Sequence, residues 1–138
     1  MSKKSIGTNA ERELLKRFWN EGWPCIRSAG SGSMKYPSPD LLVGSIDVGR
    51  ILAIECKTTK SNSFYLKKKE INELKEFSFK FGAIPFIAVN FDKWYFLSLE
   101  DLEENENSFG IRLEIAKRKG ILFEEIIKLL LNEYNKNN

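Results

Sequence analysis

The stretch that decides the predicted fold is Ile51-Leu52-Ala53-Ile54-Glu55-Cys56-Lys57-Thr58. Its first four residues are apolar and would face both sides of a strand, which is typical of a central strand covered on each face. Side chains alternate along a strand, so Glu55 and Lys57 project from the same face. The pattern therefore predicts a buried strand that ends in either an ion pair or a reaction centre.

A second carboxylate, Asp40, opens another short apolar strand in Pro39-Asp40-Leu41-Leu42-Val43. We predict that Asp40 and Glu55 bind Mg²⁺, with Mn²⁺ as a possible substitute, because oxygen-only ligands favour these ions. Such an ion supports phosphodiester hydrolysis by neutralising phosphate charge and activating water. Lys57 would orient or help to deprotonate that water and add positive charge. A structural salt bridge at the strand end is the alternative.

The chain contains no histidine. That absence excludes Ser-His-Asp triads, histidine-based nucleases, HExxH metalloproteases and ordinary zinc sites. Any catalysis must therefore use carboxylates, lysines, hydroxyls or a bound hard cation.

Length and composition predict one soluble domain. The chain has 138 residues, of which 42% are hydrophobic and 30% charged, enough for one domain with a real core. We find no apolar run of membrane-spanning length and no signal-peptide core, so we expect an intracellular, cytoplasmic protein without a membrane partner. Cys25 and Cys56 both lie in apolar strand-like stretches, which favours reduced, buried thiols over a disulfide.

Positive charge is concentrated in the first part of the chain. Residues 1–80 hold 15 Lys and Arg against 9 Asp and Glu, whereas residues 81–138 hold 7 against 10. The predicted reaction centre lies in the basic part, which suits a polyanionic partner. Lys60 and the run Lys67 to Lys69 could extend a track that binds a nucleic-acid backbone. A charged, solvated helix start explains the lysine run equally well.

A first helix is predicted to begin at Thr8 and to end near Gly22. Thr8 would be its N-cap, and Glu11 would complete a capping box. Helical spacing also places Glu11 on the apolar face, where a carboxylate needs a reason. Two interpretations remain open at this point: Glu11 caps the helix, or it is a third acid aimed at the metal site.

The rest of the chain alternates between strands and helices. A mobile loop is predicted over residues 29–38, which are rich in glycine, serine and proline. Further expected elements are a helix over about 67–81, strands over 84–89 and 94–99, a solvated acidic segment over 100–107, an edge strand within 109–119 and a closing helix over 121–134.

Six motifs follow one another in the chain: Asn9-Ala10-Glu11-Arg12-Glu13-Leu14, Arg27-Ser28-Ala29-Gly30-Ser31, Pro39-Asp40-Leu41, Ile54-Glu55-Cys56-Lys57, Glu76-Phe77-Ser78 and Phe81-Gly82-Ala83-Ile84-Pro85. In this order they resemble one family, the archaeal Holliday junction resolvases of the PD-(D/E)XK nuclease superfamily. The similarity covers about residues 5–99, and nothing is carried over to residues 100–138.

The resemblance implies a restriction-endonuclease-like α/β fold, with a central mixed sheet of about five strands flanked by helices. Together with the length of the chain, it predicts a single nuclease domain over residues 1–138, in which 100–138 is a C-terminal extension of uncertain role. It also implies a homodimer with two sites, which uses Mg²⁺ to nick opposing strands of a four-way DNA junction. Such an enzyme would be associated with the nucleoid.

Catalytic roles follow from the resemblance residue by residue. Glu11, Asp40, Glu55 and Lys57 match the catalytic acids and lysine of the family, and the three acids are the implied metal ligands. Ser31 matches a serine that some members carry on a mobile loop. The loop is longer here than in some relatives, so Ser33 is an alternative for that serine.

The resemblance also assigns binding residues. Arg12 and Arg27 match basic residues that contact or position the DNA backbone, with solvated charge as the alternative. Phe77 and Phe81 match an apolar pair at the dimer contact, with ordinary core packing as the alternative. Two rival functions remain: another nuclease of the superfamily that reads a different DNA form, and a non-catalytic DNA-binding module.

Overall fold

The computed structural model describes residues 2–28 and 35–137, with side chains as far as residue 131. Four helices and nine strands form in this part of the chain. The helices are α1 (Lys3–Asn20), α2 (Lys68–Phe81), α3 (Leu113–Lys119) and α4 (Phe123–Asn137). The strands are β1 (Cys25–Arg27), β2 (Leu41–Ser45), β3 (Arg50–Thr58), β4 (Ser63–Lys67), β5 (Ile84–Asn90), β6 (Trp94–Leu97), β7 (Glu103–Glu104), β8 (Ser108–Arg112) and β9 (Ile121–Leu122).

The main sheet has six strands in the order β1-β2-β3-β5-β6-β9. Its central strand β3 pairs antiparallel with β2 and parallel with β5. The sheet is therefore mixed, and the predicted fold class is confirmed. It holds one strand more than expected because β9 has only two residues, too few for a period of two to be recognised.

Helices cover β3 on both faces, which explains its apolar pattern. On one face Ile54 is fully buried in a core with Phe18 of α1 and Phe123 of α4, whose rings meet edge to face at 5.0 Å. On the other face Ala53 packs in a second core with Leu74 of α2. Strand β3 is thus held in the middle of three layers.

A second sheet, which the sequence pattern did not predict, has the order β4-β8-β7. Leu66 of β4 pairs with Phe109 of β8, and both side chains are buried. The expected edge strand within residues 109–119 is wrong in part, since strand β8 ends at Arg112 and helix α3 follows it. Residues 100–107, expected to be solvated, include the buried Leu102 and strand β7.

Helix α1 begins earlier than predicted. Its N-cap is Ser2, whose Oγ accepts the backbone N–H of Ser5 at 3.1 Å. Thr8 and Glu11 therefore lie inside the helix, and the capping-box interpretation of Glu11 is wrong. The physical reason is that Gly7, a weak stop signal, is tolerated within a helix when a good cap precedes it.

Two further expectations are confirmed. Helix α2 ends at Phe81, followed by Gly82 in the left-handed region at φ +83°. Cys25 and Cys56 are buried free thiols, and burial raises the pKa of Cys25 to about 12.

Within residues 2–28 and 35–137, no helix combines the length and apolar character that a membrane crossing needs.

Candidate active site

Asp40 and Glu55 meet because their strands are neighbours. Leu41 of β2 pairs with Ile54 of β3 in the antiparallel direction. Asp40, which precedes Leu41, therefore lies beside Glu55, which follows Ile54. The Asp40 side chain is 7% exposed, and its Oδ2 accepts the backbone N–H of Cys56 at 2.8 Å. The backbone of β3 therefore holds the Asp40 carboxyl next to that of Glu55.

The Asp40 carboxyl disfavours the ionisation of Glu55. Burial raises the pKa of Glu55, and a hydrogen bond with Asp40 and the charge on Asp40 raise it further. The nearby Lys57 ammonium acts in the opposite direction but does not cancel these effects. A bound cation would stabilise the ionised form of this pair, in which Asp40 is buried and Glu55 is half-buried.

Glu11 projects from α1 into the same cleft but is held by an arginine. Its Oε2 accepts a hydrogen bond from Arg27 Nε at 2.8 Å, and the two side chains are 16% and 18% exposed. Arg27 also donates to Thr8 Oγ1 at 3.5 Å. Burial raises the pKa of Glu11, and the hydrogen bond from Arg27 offsets this only in part.

Lys57 projects from β3 on the same face as Glu55 and meets a carboxylate that sequence reasoning missed. Its Nζ donates to Glu70 Oε1 at 3.1 Å and lies 5.8 Å from the ring centroid of Phe64. Burial lowers the pKa of Lys57, but the carboxylates of Glu70 and Glu55 outweigh it and raise that pKa overall. Lys57 is therefore an ammonium at neutral pH.

Glu70 had only a weak signal in the sequence. It lies in the first turn of α2, three residues after the N-cap Lys67, and its Oε2 accepts the Lys67 backbone N–H at 3.0 Å. An acidic residue at a helix start is ordinarily explained by the helix dipole alone. Only the packing of α2 against β3 shows that this side chain also reaches Lys57.

These side chains line one open cleft of about 530 Å³. Both acidic side chains and lysines line it. The charged lining residues are Glu11, Lys35, Asp40, Glu55, Lys57, Lys67, Lys69, Glu70 and Glu73. The cleft therefore combines a carboxylate pair with cations that a phosphate backbone could contact.

The donor set fits a hard divalent ion in chemistry, although it does not form a closed cage. Asp40 and Glu55 offer adjacent carboxylate oxygens, the ligands that Mg²⁺ and Mn²⁺ prefer. Among the described residues, no group of three or more acidic or cysteine side chains is gathered closely enough to form a ready metal site. Glu11, the third predicted ligand, is engaged by Arg27.

The remaining predicted residues have different surroundings. Arg12 and Lys60 are exposed, and neither lines the cleft. Ser31, like the alternative Ser33, lies outside the described residues. The end of the loop is described, and the hydroxyls of Ser28 and Ser38 lie 3.0 Å apart. This contact brings the two ends of the loop together beside Asp40.

Phe77 and Phe81 form a stacked pair on α2, with ring centroids 5.1 Å apart. Phe77 is partly buried against the core, whereas Phe81 is 51% exposed. Ile26 pairs with Leu42 of β2, and Leu42 pairs in turn with Ala53 of β3. Because paired residues share a face of the sheet, Ile26 lies on the face that α2 covers, and it is 64% exposed. Phe81 and Ile26 are therefore two apolar side chains on this side of the sheet that remain largely exposed.

Comparisons with known proteins point to one family. A family model described as archaeal Holliday junction resolvase (Hjc) matches residues 2–134. The crossover junction endodeoxyribonuclease Hjc of Archaeoglobus fulgidus is 39% identical over 132 residues, covering 88% of this chain and 95% of the relative. The protein of that name from Methanocaldococcus jannaschii is 36% identical over 122 residues, covering 88% and 86%. The family match thus continues past residue 99.

Solved structures agree with this. The structure of Archaeoglobus fulgidus Hjc, a Holliday junction resolvase, aligns with a TM-score of 0.80 at 33% identity, covering 88% of this chain and 98% of that one. The bacterial homing endonuclease I-Ssp6803I aligns with a TM-score of 0.58 at 14% identity, covering 99% and 96%. At that identity the second likeness concerns the fold alone.

Proposed function

The chain belongs to the archaeal Holliday junction resolvase family, and from that membership we propose that it is an endonuclease that cuts four-way DNA junctions by metal-dependent, paired nicking of opposing strands. The observation that carries the proposal is the Asp40–Glu55 carboxylate pair beside the Lys57 ammonium in one open cleft. Family membership supplies the DNA substrate, and this geometry supplies groups suited to cutting it.

Asp40 and Glu55 would hold Mg²⁺, or Mn²⁺ in its place, and Glu11 would complete the ligand set. The bound ion would neutralise phosphate charge and lower the pKa of a coordinated water. The protein contributes by keeping Asp40 fixed through the Cys56 N–H. Glu11 would join either through its second carboxylate oxygen or when its pair with Arg27 loosens, which would leave the Arg27 guanidinium able to contact a phosphate.

Lys57 acts in this proposal as a fixed positive charge. Its raised pKa argues against a role as the base that deprotonates water. An ammonium on the same strand face as Glu55 can instead stabilise the charge that builds on the phosphate in the transition state. Of the two roles that the sequence left open for Lys57, we propose the one of a fixed positive charge.

DNA would enter along the lysines of the cleft wall. Lys35, Lys67 and Lys69 line the cleft, whereas Arg12 and Lys60 lie exposed outside it and could contact more distant phosphates. Contacts of this kind position a duplex arm without reading its sequence. The proposed selectivity therefore depends on the shape of the substrate.

A homodimer gives that selectivity a physical basis. A four-way junction is close to two-fold symmetric, so two identical sites at a fixed separation select it by geometry. We propose that Phe77 and Phe81, together with the exposed Ile26 on the same face of the sheet, form the contact between the two copies. An exposed apolar surface of this kind is a frequent sign of a protein interface.

The proposal is tested with the purified chain, Mg²⁺ and three labelled DNAs: a synthetic four-way junction, its duplex arms and single strands. Paired nicks on the junction alone are expected. Equal cutting of plain duplex would show instead a nuclease of the same superfamily that reads another DNA form. Binding to the junction without cutting in either Mg²⁺ or Mn²⁺ would show a DNA-binding module.

A further inference from the structure

Glu70 has both carboxylate oxygens committed to separate parts of the cleft. Oε1 accepts the Lys57 ammonium at 3.1 Å, and Oε2 accepts the backbone N–H of Lys67 at 3.0 Å. The second contact ties the carboxylate to the first turn of α2, which is anchored in the core by Ile71 and Leu74. The Lys57 side chain is thereby linked to a rigid helix.

Without such a link, other charges in the cleft could move the Lys57 ammonium. Its side chain is flexible and its charge is attracted by several acids in the cleft, among them Glu55 and Asp40. Those two acids are also the proposed ligands of a divalent ion, whose charge would repel an ammonium nearby. Glu70 approaches Lys57 from another element, so it can hold the ammonium independently of the Asp40–Glu55 pair.

We propose that Glu70 is a positioning residue, which holds the Lys57 ammonium in place within the cleft while DNA is cut. The inference rests on the proposed function, since it assigns Lys57 a part in cutting. It adds to that function a residue on α2, the helix that also carries Phe77 and Phe81. Glu70 itself has no contact with the reacting groups in this proposal.

The competing explanation is that Glu70 only stabilises the start of α2. Three substitutions separate the two roles. Glu70→Asp keeps a carboxylate in the first helical turn, where Asp is favourable, but is one methylene too short to reach both partners. Glu70→Gln keeps the length but removes the charge, and its single oxygen can accept from Lys57 or from the Lys67 N–H but not from both. Glu70→Ala removes both contacts.

The experiment measures three quantities for each variant: the single-turnover rate of junction cutting at saturating protein, the dissociation constant for the junction without metal, and the melting temperature. Glu76→Gln is the matched control, because Glu76 lies on the same helix, pairs only with Lys80 among the contacts of its side chain that the structure describes, and is outside the cleft. Nitrogen-15 NMR of lysine ammonium groups in the metal-free protein reports on Lys57 directly.

We expect Glu70→Gln and Glu70→Asp to cut about tenfold more slowly, and Glu70→Ala more slowly still, with junction affinity within about twofold of wild type. Glu76→Gln should cut at the wild-type rate. The Lys57 ammonium signal should weaken or shift in the Glu70 variants and stay unchanged in Glu76→Gln. This combination supports the positioning role.

Other results would overturn it. If Glu70→Asp melts and cuts like wild type, Glu70 serves the helix start alone. Equal slowing in Glu76→Gln would trace the effect to helix charge in general. Should the wild-type chain fail to cut the junction, the proposed function is wrong, and the NMR signal then decides by itself whether Glu70 holds Lys57.

Discussion

At the scale of single residues, the cleft depends on how backbone groups position acids. The Cys56 N–H holds Asp40 beside Glu55, and their mutual repulsion is relieved either by a proton or by a cation. Removing one charge from this pair should therefore change cation binding more than folding, because an amide can occupy the same space.

Asp40→Asn and Glu55→Gln should each reduce junction cutting by at least about 100-fold, since the lost charge stabilisation is worth several kcal/mol and each 1.36 kcal/mol is about tenfold in rate. Junction binding should be retained. Single-turnover cutting and gel-shift assays measure the two quantities. Asp47→Asn, an exposed acid in the turn between β2 and β3, is the control, and full activity in either site variant would contradict the ligand assignment.

The raised pKa values also predict how stability depends on pH. Glu55 and Glu11 have higher pKa values in the folded protein than their ordinary value of 4.5, so the folded state binds these protons more tightly than the unfolded state. The free energy of unfolding of the metal-free protein should fall as pH rises above 4.5.

Thermal unfolding in a chelating buffer between pH 5 and pH 8 measures this trend. The melting temperature is expected to decrease with pH in wild type and to decrease less in Glu55→Gln, which has no carboxyl to ionise at that position. The same slope in the two proteins would show that ionisation of Glu55 makes no contribution.

At the scale of elements, helix α1 shows how a local signal is overridden. A Ser2 cap and the burial of Leu14 and Phe18 stabilise a helix that passes through Gly7. A helix that gains its stability from an apolar face can include a weak helix former. Glu11 consequently lies well inside the helix, and its position over the cleft follows from where α1 packs.

Two glycine substitutions test where α1 begins and how the chain leaves its end. Gly7→Ala should stabilise the protein by about 0.5–1 kcal/mol, because alanine is the better helix former and its methyl group would meet nothing within 4 Å. Gly22→Ala should destabilise it by about 1–2 kcal/mol, since Gly22 has φ +83°. Denaturant unfolding measures both. A helix that began at Thr8 would show no gain from Gly7→Ala.

At the scale of the whole molecule, the two faces of the main sheet are unequal. Helices α1 and α4 cover one face, whereas on the other face α2 leaves Ile26 and Phe81 partly exposed. Exposed apolar side chains near the cleft suit contact with a second copy, because two copies so joined would present two clefts to one junction.

Phe81→Asp should convert the proposed dimer to a monomer by placing a charge in an apolar contact. Sedimentation velocity measures the change. Phe79→Asp is the matched control, because Phe79 is 88% exposed and lies on the opposite side of the same helix. A wild-type monomer, or equal dissociation in the two variants, would contradict the proposed contact.

Much of this protein could be predicted from local patterns. Residues close together in sequence determine the central strand and the end of α2 at Gly82, since alternation and turn chemistry act over a few residues. The family was recognised from motifs of three to six residues each. The same alternation places Glu55 and Lys57 on one face of β3. Asp40 was found because it opens a strand of the expected length.

Only the tertiary structure decided which distant segments meet. The pairing of β4 with β8, the Arg27 contact with Glu11 and the Glu70 contact with Lys57 all join residues from separate elements. Such contacts depend on strand register and helix packing, which the burial of the whole core selects. The pattern of apolar residues within one short segment does not indicate which other segment it will contact. The partners of the charged groups were therefore found only in the folded chain.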